Sequence, residues 1–279
     1  MKNGEPSAAL RSAIDDALRA LRHEPLDDES VHAVRKHLKR ARAALRLLRE
    51  SVGEAAYHRE NRRLRDASRP LACMRDTRVT AQILAALHRP VPAGERPALQ
   101  ELSARLAIEQ HRARRQLEKA PLDQVARSLQ AAGRIAQRWQ KKHVALTAVR
   151  SDLKRAYRKA RNAAAAARAQ RGSESLHEAR KQAKYLGSML EILRPRLDGG
   201  GKTRRGALSL AEFLGDDHDL AVLQEKLDTL PDPAHDGGHR LLKKRVEKRR
   251  RRLQSKAMRE AKRLYRRKSK CFARRLELN

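Results

Sequence analysis

The sequence predicts an all-α fold built from two similar helical-bundle halves, and three observations predict it. Apolar residues, many of them Ala and Leu, recur at the spacing of helix faces. The alternating β-branched runs that indicate strands are absent, so we expect no sheet. Segments of the first half of the chain also reappear in the second half at nearly constant offsets.

Glycine and proline residues divide the chain and set the predicted helix ends. They fall mainly between the periodic segments, and we place a break between two helices at Gly215. The predicted helices cover residues 7–22, 29–51, 54–68, 71–88, 97–119, 122–142, 146–170, 174–194, 203–214, 217–229 and 239–275.

The internal repeat is the most informative feature of the sequence. Three pairs of similar segments are separated by 145, 143 and 138 residues. Such offsets indicate duplication of a whole module rather than a short-repeat solenoid. We predict a single domain over residues 1–279, with halves at about 7–142 and 146–276. The pairs are residues 29–36 with 174–181, 71–79 with 214–222, and 108–111 with 246–249.

The net charge of the chain predicts an anionic partner. With 66 Lys and Arg against 33 Asp and Glu, the formal net charge is +33, far more than solubility requires. This charge attracts anions and opposes compaction by self-repulsion, so an anionic partner would stabilise the fold. Nucleic acid, anionic membrane surfaces and phosphate polymers all fit this description.

Aromatic residues are scarce, at 3%. Single-stranded nucleic acid needs rings on which its bases stack, whereas a phosphate polymer has no bases. No apolar run approaches the roughly 20 residues that span a bilayer, and residues 1–10 lack the apolar core of a secretory signal. Cys73 and Cys271 form no CxxC motif, and we interpret them as thiols of a cytoplasmic protein.

Four basic side chains share one face of the predicted helix that begins near Ser30. They stand at positions i, i+3, i+4 and i+7, with Arg46 continuing the face and Arg42 beside it. Few acidic residues are interspersed, although like charges one turn apart repel by a few tenths of a kcal/mol. A solvated basic face is the alternative interpretation of one such stripe. The four residues are His32, Arg35, Lys36 and Lys39.

The second half repeats this stripe, and the repetition favours a binding surface over a solvated face. Four basic groups spread over about two turns, roughly 10 Å of helix axis, suit the successive phosphoryl oxygens of a linear phosphate chain. Ser175 and Glu178 predict a capping box at the start of this helix. The repeated residues are His177, Arg180, Lys181 and Lys184.

Together, these motifs resemble the CHAD family, the conserved histidine α-helical domain. The resemblance covers roughly residues 7–276, because residues 153–161 are similar to the family's bridging helix and residues 264–276 to its C-terminal helix. Leu214–Val222 is similar to the family's Leu-Gly-x-x-x-Asp-x-x-Val element. The first half departs from that element, since residues 71–76 lack the glycine.

The resemblance implies two pseudo-symmetric helical bundles around a basic central pore or groove. It also implies non-catalytic binding of inorganic polyphosphate, with association with polyphosphate or storage granules in some members. By the same resemblance the eight stripe residues face the ligand. The Glu-x-Glu-x-Lys motif of a triphosphate-processing domain is absent from the sequence, and we expect no cofactor. Further ligand residues implied in this way are Arg42, Lys154, Arg158 and Arg161.

Two other motifs have competing interpretations. Gly199–Thr203 is similar to the end of a P-loop, but Arg196 stands where that loop needs glycine, so we predict a linker. The carboxylates of Asp216–Asp219 are able to hold a divalent metal. We favour helix capping there and expect no metal, with Asp76 and Asp219 orienting basic side chains.

Three functions therefore remain open. The first is a cytoplasmic, granule-associated module that binds polyphosphate. The second is a nucleic-acid-binding protein, which the charge permits but which lacks an evident helix-turn-helix signal. The third is a metal-dependent enzyme acting on phosphate polymers, although no HExxH, GxSxG or clear nucleophile and base set is present. The basic run Lys243–Arg252 is either a solvated helix end or a further polyanion contact.

Overall fold

The fold is all-α, as predicted. The structure is a computed structural model that describes residues 5–23, 26–71, 94, 96–118, 121–141, 143–198, 200–229 and 238–278. None of the helices in this part of the chain is long and apolar enough to cross a membrane. The helices are α1 (Pro6–Leu21), α2 (Asp28–Arg46), α3 (Arg49–Val52), α4 (Glu54–Ala67), α5 (Arg96–Glu118), α6 (Leu122–Gln140), α7 (Leu146–Gln170), α8 (Ser173–Leu193), α9 (Gly201–Asp228), α10 (Gly238–Leu264) and α11 (Ser269–Arg274).

Several helix ends differ from the prediction. The predicted break at Gly215 is wrong, because α9 continues through it. A glycine inside a helix costs about 1 kcal/mol relative to alanine, and buried Leu214 and Leu220 on either side offset that cost. The helix predicted over 29–51 divides into α2 and α3, and the one predicted over 239–275 divides into α10 and α11.

Two further expectations concern a sheet and the segment after α4. The strands β1 (Leu197–Asp198) and β2 (Glu277–Leu278) pair antiparallel, so the expectation of no sheet misses one two-residue ladder near the C-terminus. The helix predicted over 71–88, together with Cys73 and Asp76, lies outside the described residues apart from Leu71. Cys271 is an exposed free thiol.

The buried apolar residues form two clusters, and α9 contributes to both. The main core combines α1, α2, α4, α6, α7 and α8 with the first half of α9, where Leu210 is buried, and with the end of α10. The smaller core joins α5, the second half of α9 and the start of α10 through Leu102, Leu223 and Leu242. An unbroken α9 therefore connects the two cores.

Tyr157 of α7 binds the segment that follows α10. The Tyr157 hydroxyl lies 3.2 Å from the carbonyl oxygen of Leu264 and 3.1 Å from that of Arg267. Its ring stacks on Phe272 at 4.0 Å and meets Tyr265 edge-on at 5.5 Å. Burial raises the pKa of the Tyr157 hydroxyl, which is therefore kept as a neutral donor.

Candidate functional site

Helix α2 presents the first basic stripe on its outer side. The helix begins after Asp27, whose carboxylate accepts a 2.7 Å hydrogen bond from the Ser30 amide. Hydrogen bonding to the Ser30 side chain and to its amide lowers the pKa of Asp27. Val34 and Leu38 are buried on the inner side. Of the four stripe residues on α2, His32 and Lys36 are exposed, whereas Arg35 and Lys39 are half-buried.

Arg35 also has a structural contact. Its Nη1 donates a 2.7 Å hydrogen bond to the carbonyl oxygen of buried Leu71, beyond the end of α4. This bond satisfies a buried backbone acceptor and fixes the direction of the guanidinium group. Arg35 is thus pre-oriented before any ligand binds.

Helix α8 presents the second stripe, but it does not begin as predicted. The helix starts at Ser173, so Ser175 lies inside it, and the Ser175 hydroxyl donates to the carbonyl of Gly172 at 2.9 Å. The predicted capping box is therefore wrong. Glu178 instead pairs with Lys181 and accepts a 2.7 Å hydrogen bond from Gln182. Lys181 is exposed, with its charge partly balanced before any anion binds.

Arg180 packs against the backbone of α9. A β-carbon added at Gly215 would lie 3.3 Å from Arg180 Nη2 and 3.5 Å from its Nε. The guanidinium group therefore occupies the space that any other residue at position 215 would fill with its side chain. Gly215, which is predicted to break the helix, instead leaves room for Arg180, a predicted ligand residue.

His177 lies one turn before Arg180 and also meets α9. The rings of His177 and His218 are 5.4 Å apart between centroids and inclined at 58°. No short-range spacing relates these two histidines, since they lie on different helices. His218 is consequently a candidate ligand residue that sequence reasoning did not select.

The Asp216–Asp219 segment is helical, and its carboxylates are divided between two sides of α9. Asp217 is 2% exposed and accepts hydrogen bonds from Arg250 Nε at 3.1 Å and Gln254 Nε2 at 3.0 Å, both on α10. Asp216 is exposed and Asp219 is half-buried. Among the described residues, no three His, Cys, Asp or Glu side chains converge as a metal site.

The two stripes approach each other where α2 packs on α8. Tyr185, the residue after Lys184, lies under two guanidinium groups of α2, with Arg46 at 3.5 Å and Arg42 at 5.8 Å from its ring centroid. Arg42 Nε also donates to Asn61 Oδ1 at 3.1 Å, and burial lowers the pKa of Arg42. Arg42 and Arg46 therefore combine a structural contact with their place at the end of the stripe.

The three predicted residues of α7 lie in different surroundings. Lys154 is half-buried, whereas Arg158 and Arg161 are exposed. Arg161 Nε donates to the carbonyl of Tyr265 at 3.3 Å, which holds it beside the turn between α10 and α11. Next to them, Lys159 lies in a small cavity with Arg46 and other residues of α3, α4 and α8. Burial lowers the pKa of Lys159, and the nearby arginines lower it further.

Comparison with known proteins identifies the fold and a family. The model of the CHAD domain matches residues 8–228. The structure is similar to the crystal structure of the CHAD domain from the plant Ricinus communis, with 19% identity and a TM-score of 0.62 over 99% of this chain and 93% of that chain. It is also similar to PptA from Streptomyces chartreusis, with 16% identity and a TM-score of 0.64 over 96% of this chain and 100% of that chain. A comparison with curated proteins gives no match.

Proposed function

The chain belongs to the CHAD domain family, and from this premise we propose that it binds inorganic polyphosphate, without catalysis, through the basic faces of α2 and α8. The observation that carries the proposal is the meeting of the two stripes at Tyr185. A stripe on one helix alone has an ordinary interpretation as a solvated face. Two similar stripes that end at one contact form a single basic surface long enough for a linear anion.

We further propose that α2 and α8 descend from an internal duplication and line one shared groove. The matching sequences around His32 and His177 support the duplication. The packing order also supports it, because α1 packs on α2 and α7 packs on α8. A groove between duplicated elements would give a phosphate chain equivalent contacts on both sides.

The donors suit phosphoryl oxygens. A guanidinium group offers a planar fork that binds two oxygens at once, whereas a lysine ammonium acts as a compact point charge. Arg35 and Arg180 are both held by neighbouring backbone, the first by Leu71 and the second against Gly215. Pre-oriented arginines lose less conformational entropy when the ligand binds.

Charge reversal tests the proposal. We expect the variant Arg35→Glu/Lys39→Glu/Arg180→Glu/Lys184→Glu to lose polyphosphate binding while its helical circular dichroism signal is retained. The matched control reverses four exposed cations on or next to α6 and should keep affinity within about two-fold, because distant surface charges are largely screened by salt. The control residues are Arg127, Arg134, Arg138 and Lys141.

A smaller variant separates binding from folding. Arg35 also binds Leu71, so Lys39→Glu/Lys184→Glu leaves that hydrogen bond in place. Unchanged polyphosphate affinity in this variant would contradict the proposed site. Duplex DNA that displaces polyphosphate at equal phosphate concentration would favour the nucleic-acid alternative. Phosphate release from polyphosphate with Mg²⁺ would favour the enzyme alternative.

A further inference from the structure

Helix α10 carries the densest positive charge in the chain. Its 27 residues contain thirteen Lys or Arg and two Glu, so this one helix holds +11 of the formal net charge of +33. The helix begins at Gly238, whereas the family match ends at residue 228. This helix lies beyond the residues that the family model matches.

Six of the cations of α10 lie on its outer side. Leu242, Val246 and Ala257 are buried on the inner side. The outer side is an exposed face that extends about 22 Å along the helix axis. The cations that line it are Lys244, Lys248, Arg251, Arg252, Lys256 and Arg259.

This face is electrostatically unfavourable by itself. Lys244, Lys248, Arg252 and Lys256 follow one another at intervals of four residues, and each neighbouring pair repels by a few tenths of a kcal/mol. Among the described residues, Glu247 is the one acid on this face, and it already pairs with Arg251. Repulsion of this kind is relieved when an anion binds along the face.

The cations on the side of α10 that faces α9 form ion pairs with acidic residues. Arg250 binds Asp217 at 3.1 Å, and Lys243 binds Asp228 at 2.8 Å. Acidic partners are therefore provided where α10 packs on α9. Among the described residues, no acidic side chain pairs with Lys244, Lys248, Arg252 or Lys256 on the outer side.

The basic face of α10 adjoins the α8 stripe. Arg180 of α8 packs against Gly215 of α9, and Arg250 of α10 binds Asp217 at 3.1 Å, so contacts from the two helices lie on either side of Asp216. Arg249 is exposed at the edge of the α10 face, so the two basic surfaces meet beside one carboxylate.

We propose that the outer face of α10 is a second track for a linear phosphate polymer, continuous with the α2 and α8 site. This inference rests on the proposed function and adds a preference for long chains, because only a long chain reaches both surfaces. The lining residues include no aromatic side chain, which favours a polymer without bases over single-stranded nucleic acid. Binding at two linked surfaces raises the affinity for the long chain by the effective concentration of its second segment.

The test measures the binding of two phosphate polymers of different length to two charge-reversed variants. The α10 variant is Lys248→Glu/Arg252→Glu/Lys256→Glu, and the control is Arg127→Glu/Arg134→Glu/Arg138→Glu, which changes the net charge equally. Dissociation constants are measured for tripolyphosphate and for long-chain polyphosphate at several salt concentrations. We expect the α10 variant to bind the long chain at least about ten-fold more weakly than the unmodified protein. The slope of log affinity against log salt concentration should be smaller in magnitude by about 2. Its tripolyphosphate affinity should match that of the control.

The other outcomes are equally informative. Equal losses in both variants would mean that net charge alone matters, and would overturn the track. Unchanged long-chain affinity in the α10 variant would also overturn it, as would a loss confined to duplex DNA binding. The proposed function fails separately, if Lys39→Glu/Lys184→Glu keeps its tripolyphosphate affinity.

Discussion

The guanidinium group of Arg180 lies on the backbone of α9 at Gly215, and the absence of a side chain at Gly215 makes this contact possible. The contact joins one stripe residue to a helix that connects both cores. The direction of the Arg180 side chain is therefore set by α9. Changes at position 215 should alter ligand binding without unfolding the protein.

Gly215→Ala should weaken polyphosphate binding several-fold while changing the free energy of unfolding little. Alanine favours the helix by about 1 kcal/mol, but its β-carbon at 3.3 Å from Nη2 would push Arg180 aside. Gly133→Ala in α6 is the control, since its β-carbon would make an ordinary 3.6 Å contact with Ile14. That control should be more stable by up to about 1 kcal/mol and retain full affinity. Titration calorimetry and urea unfolding measure both quantities, and unchanged affinity in Gly215→Ala would contradict the role of this contact.

Asp217→Ala should destabilise the protein by about 2–4 kcal/mol, because it leaves Arg250 and Gln254 without the buried carboxylate that they bind. Glu225→Gln is the control, since Glu225 is exposed on the same helix and should change stability by less than about 0.5 kcal/mol. Urea unfolding at neutral pH measures the difference. A loss no larger than that of the control would show that the contact between α9 and α10 does not depend on this pair.

The sequence predicts what depends on helical periodicity, and it misses what depends on packing between helices. His32, Arg35 and Lys39 lie within eight residues, so their common face follows from the 3.6-residue repeat. Arg180 and Gly215 are 35 residues apart on two helices, and no local pattern relates them. Local propensity favours a break at Gly215 because it takes no account of the cores on either side. The same limit explains why Asp217 was not distinguished from its acidic neighbours.

Asp152→Asn should stabilise the protein at neutral pH. Asp152 is 2% exposed, and burial raises its pKa from 3.8 to about 6, although it accepts a 2.9 Å hydrogen bond from the Glu50 amide. The folded state thus binds this proton more tightly than the unfolded state, so its contribution to stability falls as pH rises between about 4 and 6. Asparagine keeps the acceptor without the charge, so we expect a gain of about 1–3 kcal/mol at pH 7 that disappears near pH 4.

Denaturant unfolding of both proteins from pH 4 to pH 7.5 tests this expectation. The quantity to follow is the difference in unfolding free energy between Asp152→Asn and the unmodified protein. A difference that stays constant across the range would mean that the Asp152 carboxyl titrates at its ordinary pKa. Because Asp152 binds the start of α3, circular dichroism of the variant should confirm that this contact is retained.

Glu178→Gln should tighten polyphosphate binding. Glu178 pairs with Lys181, so an incoming phosphate must compete with a carboxylate for the same ammonium group. Both side chains are 43% exposed, so losing the pair should cost less than about 1 kcal/mol of stability. Release of Lys181 adds one phosphate contact, and the salt slope of binding should become steeper by about 0.7. Glu225→Gln makes the same charge change on α9 and should leave that slope unaltered. Equal gains in both variants would mean that net charge, and not the position of Lys181, governs the affinity.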